Sequence, residues 1–400
     1  MNEKMLGLGQ SRSVIREIFE YAKVRKAEIG DDKVFDFSIG NPSVPAPESV
    51  KNALAELVCS IDPVQLHGYT SAQGDASVRG KISDFIEKTY NIGSKPISSP
   101  NLIYMTSGAA AALTCSLTAL LNEGDEVIVL APFFPEYRVF TERTGARLVP
   151  VLCDKETMRP RIDRLSAAIN EKTAAVIVNS PNNPTGVVYP EEDIKALAAL
   201  LSEKSKEIGK PIYLIADEPY RELVYGGIEV PYIPNYYDNT IVCYSLSKSL
   251  SLPGERIGYV SISPRAENAQ NVYLAVCGAG RALGFVCATS LFQFMMPMLL
   301  GETSDISVYE KNRNLLCSAL TEYGYKTAEP DGAFYLFVKA LEPDAKAFCE
   351  RAKKFELLLV PSNDFGCEGY VRIAYCTSEE QIRNSLPSFK ALAKSYKLRL

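Results

Sequence analysis

The sequence predicts an α/β protein with a large domain around a mostly parallel, doubly wound sheet. A smaller α+β domain is expected from the N- and C-terminal segments. Three observations carry this reading. From residue 102 to 244, short apolar runs alternate with turns and helical stretches, the order that a doubly wound parallel sheet requires. Beyond residue 300 the order becomes helix, strand, helix, strand, strand, helix, which is an α+β module. Four hundred residues, 46% of them hydrophobic, are enough for one large and one small core. The expected boundaries are 1–47 for an N-terminal arm and part of the small domain, 48–300 for the large domain and 301–400 for the small C-terminal domain.

Each element has its own signal. Residues 13–28 place Val14, Ile15, Ile18, Phe19 and Ala22 on one helical face, with Gly30 as the stop. Residues 35–39 alternate as a short strand and run into Gly40-Asn41-Pro42. A helix is expected at 48–59, then a loop from His67 to Gly74. Residues 102–106 form a strand, Ser107-Gly108 a turn and 109–121 an Ala- and Leu-rich helix. Further strands fall at 126–130, 147–151, 174–179, 212–216 and 241–244, with helices at 162–169 and 191–208. Residues 264–300 read as a long helical connection. After it come helices at 304–323, 344–355 and 379–396 and strands at 333–338, 357–360 and 370–374.

Composition excludes several functions. A net charge of −5 and a pI near 5.4 argue against nucleic acid as the main partner. Ten scattered cysteines without a CxxC pair read as free thiols in a reducing compartment. The single histidine, His67, rules out a His-rich metal site and disfavours Ser-His-Asp catalysis, and no metal is expected. There is no leader-like apolar core or membrane-length run, so a cytoplasmic protein without membrane partners is expected.

The chemistry concentrates in YSLSKSLSLPGERIG, residues 244–258. Lys248 follows an apolar run and sits among Ser245, Ser247, Ser249 and Ser251, with Arg256 eight residues on. A lysine amine condenses with aldehydes, and desolvation or a nearby cation lowers its pKa towards neutrality. Alternate serines offer hydroxyls to an anion that Arg256 can hold as a fork. A solvated lysine in a polar loop is the competing reading for Lys248 alone. Asp217 ends an apolar strand, where an unpaired carboxylate is costly to bury, and Glu218 beside it is the rival. Arg372 is the one charge in YVRIAY and needs an anionic ligand or a structural ion pair. Gly108 lets the backbone approach a ligand, and the helix start behind it offers N–H groups to a phosphate. Phe133 or Phe134, after a strand, can stack on a flat heteroaromatic ring or fill the core. SPNNPTG, residues 180–186, makes a sharp turn that aims an amide off the sheet edge.

Taken in order, these residues resemble the class I and II (fold type I) pyridoxal-phosphate aminotransferases, of the aspartate aminotransferase-like kind. The resemblance spans nearly the whole chain and rests on Tyr69, Gly108, Phe134, Asn183, Asp217, Tyr220, Lys248, Arg256 and Arg372. It implies that Lys248 binds pyridoxal 5′-phosphate as a Schiff base and moves the substrate Cα proton. Asp217 would pair with the ring nitrogen, while Asn183 and Tyr220 would meet the phenolic oxygen. Catalysis would thus rest on Lys248, Asp217 and Tyr220. Gly108, Ala109, Ala110, Ser245, Ser247 and Arg256 would surround the phosphate, and Phe134 rather than Phe133 would stack on the ring. Ala110 stands where many relatives carry a hydroxyl or lysine, so only its backbone could serve. Arg372 would grip the substrate α-carboxylate, bordered by Gly40 and Asn183. Tyr69 would reach the phosphate of a neighbouring subunit, which implies a homodimer.

The implied reaction moves an amino group between an L-amino acid and a 2-oxo acid. A carbon–sulfur β-lyase or related elimination enzyme would use the same residues. A non-catalytic cofactor-binding sensor would carry a fused DNA-binding segment or lack the Lys or Asp, and this chain shows neither. Residues 277–290, CGAGRALGFVCATS, match no specificity element. Arg281 within them either meets an acidic side chain or lies on a helix surface.

Overall fold

The structure is a computed structural model that describes residues 1–10 and 14–396. Twelve strands are found among these residues. They are β1 Phe35–Asp36, β2 Ile103–Thr106, β3 Glu126–Ala131, β4 Arg147–Leu152, β5 Thr173–Asn179 and β6 Tyr213–Asp217. The rest are β7 Thr240–Ser245, β8 Gly258–Ile262, β9 Tyr335–Lys339, β10 Leu357–Leu358, β11 Val360–Pro361 and β12 Tyr370–Ala374.

The main sheet has the order β2-β8-β7-β6-β5-β3-β4. β4, β3, β5, β6 and β7 pair in parallel, while β8 runs antiparallel to both its neighbours. The sheet is covered on both faces, as its apolar strands demand. Val127, Val129, Ala175 and Ile177 pack with Leu113, Leu117, Val272 and Val276 of helices Ala109–Leu120 and Ala269–Ala282. Their alternates Ile128, Leu130, Val176 and Val178 pack with Ile194, Leu197 and Leu201 of helix Glu191–Ile208 on the other face. This is the expected α/β architecture.

The smaller module is a three-stranded antiparallel sheet, β11-β12-β9, beside the two-stranded β1-β10. β1 pairs in parallel with β10, Phe35 opposite Leu357, so the N-terminal and C-terminal segments share one layer. Phe35, Phe37 and Val44 join a core with Leu316, Phe348, Leu357 and Phe389.

Several elements differ from expectation, each for a local reason. The strand expected at 35–39 stops at Asp36, whose Oδ1 accepts from the N–H and hydroxyl of Ser38 and turns the chain. The strand expected at 357–360 divides at Leu359, because β10 pairs with β1 and β11 with β12. The helical connection expected at 264–300 is made of two α-helices, Ala269–Ala282 and Ser290–Met295. The break comes at Gly284, φ +80°, and the Phe285 carbonyl there accepts from the Tyr104 hydroxyl at 2.9 Å. β8 and the helices Glu3–Gln10, Pro63–His67, Ala76–Tyr90 and Glu136–Glu142 had no expected counterpart. Ser13, the expected start of the first long helix, lies outside the described residues, and that helix is Val14–Ile29.

Topology places the site. β8 returns beside β7 with Ser245 opposite Gly258, so the loop carrying Lys248 and Arg256 begins and ends at one edge of the sheet. Thr106 of β2 lies opposite Gly258 on the other side, which brings Gly108 to the same edge. β5 and β6 end there too, Asn179 opposite Asp217. Ligands in such sheets bind outside the carboxyl ends of the strands, and these residues gather there.

Candidate active site

Lys248 is half-buried, and its Nζ donates to the Gly40 carbonyl at 2.9 Å. The Phe334 ring centroid lies 5.6 Å from the same nitrogen. Burial pushes the Lys248 ammonium down to about 8; Arg372 and Arg256 push the same way and Cys376 opposes. An amine so placed has a neutral fraction on the order of a tenth at pH 7, far above that of an ordinary lysine.

Asp217 is 5% exposed at the end of β6. Its Oδ2 accepts from the Tyr137 hydroxyl at 2.5 Å, and its Oδ1 is buried without a partner among the described residues. Burial pushes the carboxyl up to about 7; the Tyr137 bond lowers it and Glu218 raises it. Glu218, the rival carboxylate, is already engaged. It forms a buried ion pair with Arg221 through two bonds of 2.6 Å. The free oxygen at Asp217 is therefore the one that invites a cationic N–H donor.

Asn179 ties the neighbouring turn to this strand. Its Nδ2 donates to the Asp217 carbonyl at 2.8 Å, and its Oδ1 accepts from the Asn183 N–H at 2.7 Å. The Asn183 side chain then accepts from Arg372 Nη1 at 3.2 Å. Arg372 Nη2 donates to the Ser38 carbonyl at 2.6 Å, while Nε is buried without a partner among the described residues. The guanidinium is 2% exposed, and among the described residues no carboxylate pairs with it. Burial lowers its pKa from the usual arginine value. A buried cation held only by neutral oxygens is set up for an anion.

Tyr220 is buried, its hydroxyl 3.0 Å from that of Tyr335. Gly40 fits beneath Tyr335 because a Cβ there would overlap the Tyr335 hydroxyl.

At the other end, Gly108 precedes helix Ala109–Leu120 with φ +85° and no side-chain cap on the helix N–H groups. A Cβ on Gly108 would lie 2.9 Å from Arg256 Nη2, so the guanidinium packs against bare backbone. Arg256 is exposed, with φ +52° and one bond from Nη1 to the Pro253 carbonyl at 3.1 Å. Ser245 and Ser247 are buried, and Ser245 Oγ has no partner. Ala109 is half-buried and Ala110 exposed, so each offers only its backbone as a polar contact. Free helix N–H groups, a guanidinium and a spare hydroxyl suit a phosphate.

Phe133 is a core residue, 2% exposed, whereas Phe134 is half-buried with its ring edge-on to Tyr137 at 5.6 Å. Phe134 is thus the more accessible of the two rings, and Tyr137 links it to Asp217. Tyr69 is 94% exposed and makes none of these contacts. Arg281 lies exposed in the last turn of its helix and meets no acidic side chain among the described residues. A cleft of about 1140 Å³ lined by Tyr90, Arg221, Glu222 and Tyr232 contains none of the residues proposed for the site.

Sequence reasoning missed Tyr137, Asn179, Phe334 and Tyr335. Tyr137 follows Phe134 closely in PFFPEY and Asn179 ends a clear strand, so both lay at flagged positions. Phe334 and Tyr335 read only as strand residues.

Comparisons with known proteins identify the family. The family described as aminotransferase class I and II matches residues 32–389. An aspartate aminotransferase of Thermotoga maritima is 30% identical over 364 residues, 89% of this chain and 90% of that protein. A solved amino transferase structure from Eubacterium rectale superposes with a TM-score of 0.96 at 54% identity, covering 100% of this chain and 99% of that one. The aspartate aminotransferase of Thermus thermophilus with maleate gives a TM-score of 0.84 at 28% identity, covering 96% and 98%. With the family matched along most of its length, the chain belongs to the class I and II aminotransferases.

Proposed function

We propose that this aminotransferase binds pyridoxal 5′-phosphate and moves an amino group between an L-amino acid and a 2-oxo acid. The observation that carries the proposal is a pair of buried, unpartnered polar atoms of opposite charge, Asp217 Oδ1 and Arg372 Nε. One suits a protonated ring nitrogen and the other a substrate carboxylate, and Lys248 belongs to the same end of the sheet. Gly108, Ala109, Ala110, Ser245, Ser247 and Arg256 hold the phosphate, Phe134 covers the ring, and Asn183 and Tyr220 meet its phenolic oxygen. Arg372 binds the α-carboxylate, with Gly40 and Asn183 at its border. When bound, the cofactor supplies an electron sink for the Cα carbanion.

Asp217 keeps the ring nitrogen protonated, because its own raised pKa falls once a cation sits against Oδ1. Lys248 takes the Cα proton as a neutral amine and returns it as general acid. The relatives named aspartate aminotransferase put aspartate among the first amino acids to test. The exposed ring of Tyr69 supports a two-fold dimer in which it reaches the other subunit's phosphate. Residues 48–300 form the cofactor domain, and 1–47 with 301–400 the smaller one. All ten cysteines are unpaired, which supports a reducing, cytoplasmic setting, and among the described residues no helix is long and apolar enough to cross a membrane.

The test is a half-reaction screen. Amino acids are added singly to the cofactor-loaded protein and the cofactor spectrum is followed. A 2-oxo acid that restores the starting spectrum supports transfer. Release of ammonia and pyruvate without need of a 2-oxo acid overturns it in favour of elimination.

A further inference from the structure

Tyr335 opens β9 and is 2% exposed. Antiparallel pairing sets Tyr335 opposite Ala374 and Phe337 opposite Arg372. Tyr335 and Arg372 are therefore diagonal neighbours on one face of the sheet. The Arg372 guanidinium lies 4.8 Å from the Tyr335 ring centroid, within reach of cation–π attraction. The Tyr335 hydroxyl lies 3.0 Å from that of Tyr220, and Gly40 leaves it the room. The Gly40 carbonyl in turn accepts from Lys248 Nζ. One buried tyrosine thus touches Tyr220, Arg372 and the loop that holds the lysine.

Two hydroxyls that share one hydrogen bond leave one O–H over. Among the described residues Tyr220 is the only hydrogen-bond partner of the Tyr335 hydroxyl, and the reverse holds as well. If Tyr220 is to donate to a ligand, Tyr335 must be the donor within the pair. Burial keeps Tyr335 protonated, its pKa pushed up to about 12, so it remains a donor across neutral pH.

We infer that Tyr335 is a positioning residue for both halves of the site. Its O–H donates to the Tyr220 oxygen and so directs the Tyr220 O–H at the cofactor's phenolic oxygen, while its ring supports the Arg372 guanidinium. This rests on the pyridoxal phosphate assignment above. Hydrogen bonds in a chain polarise one another, so the Tyr335 hydroxyl strengthens Tyr220 as a donor to a phenolate. The hydroxyl and the ring act on different ligands and can be removed separately.

The experiment uses the cofactor-loaded protein and two readouts, the pH midpoint of the cofactor's visible absorbance and the amino-acid KM. Tyr335→Phe keeps the ring, so the midpoint rises by about half a pH unit and KM stays within about twofold. Tyr335→Leu removes the ring as well and raises KM by about tenfold. Adding Tyr335→Phe to Tyr220→Phe gives no rise beyond Tyr220→Phe alone, because the middle of the chain is gone. An unchanged midpoint in Tyr335→Phe, or a KM that rises as much in Phe as in Leu, overturns the inference alone. A wild-type protein that shows no visible band with added pyridoxal phosphate overturns the cofactor assignment and this inference with it.

Discussion

The two arginines proposed to hold anions are built in opposite ways. Arg256 is exposed on a loop, packed against the bare backbone of Gly108 and anchored by one carbonyl. Arg372 sits in the middle of a strand, 2% exposed, close to the Tyr335 and Phe365 rings, with neutral oxygens as its only hydrogen-bond partners among the described residues. An exposed cation is solvated whether or not a ligand is present, so its ligand gains a screened, modest attraction. A desolvated cation stays costly until an anion arrives, so its ligand gains much more. Under the proposed roles, the small module holds the more discriminating grip and the large sheet the more forgiving one.

The largest expected effect tests Lys248, whose pKa both arginines lower. Lys248→Ala should lower turnover by at least 10²–10⁴-fold while cofactor still binds without a covalent link. Steady-state rates and cofactor retention on a desalting column decide this, and near-normal turnover would remove Lys248 from catalysis.

Next is Arg372→Lys, which keeps the charge and loses the fork. Its kcat/KM should fall by about 30- to 5,000-fold, the equivalent of about 2–5 kcal/mol, for every amino acid, since all share the α-carboxylate, while cofactor affinity barely moves. Loss of cofactor with normal substrate binding would show that the two arginines have exchanged roles.

A pH effect of a few kcal/mol or less belongs to Asp217. Its folded pKa is raised from 3.8 to about 7, so the protonated form is the one the cofactor-free fold favours. That contribution is full below about pH 4 and is lost as pH rises through about 7. Urea titrations of the cofactor-free protein between those values should show stability falling with pH. Asp217→Asn should flatten the slope, and an unaltered slope would remove Asp217 as its source. Cofactor affinity in the wild type should rise over the same window, since binding needs the carboxylate.

Arg256→Lys should show the smallest change. An exposed pair is worth about 0.2–1 kcal/mol, so the cofactor Kd should weaken by no more than about fivefold, with relative amino-acid preference unchanged. Measuring that Kd at low and high salt sharpens the comparison, because screening should erase the Arg256 effect and spare the Arg372 effect.

Much of the candidate site was legible because its pieces are local. The turn at Gly108, the SPNNPTG turn, the carboxylate ending β6 and the Ser-Lys-Ser run each lie within a few residues. Helix Ala76–Tyr90 was legible too and was missed. Asp75 caps it, accepting from the N–H of Ser77 and Val78, and Val78, Ile82 and Ile86 recur every four residues. Tyr335 was not legible, since a tyrosine in an apolar strand has no signature until Tyr220, 115 residues away, faces it.

The sequence by itself determined most of the order of strands, turns and helices, the α/β class and the residue types proposed to carry the chemistry. Periodicity and turn chemistry are properties of neighbouring residues, so a single chain displays them. Only the tertiary structure decided that β8 runs backwards and so sets Arg256 against Gly108. It alone placed Gly40 under Lys248 across 208 positions and the Ser38 carbonyl on Arg372 across 334. It alone left Asp217 Oδ1 and Arg372 Nε buried and unpartnered. Those are contacts between segments whose separation in sequence carries no local mark, and burial, which sets both charges to work, is a property of the whole fold.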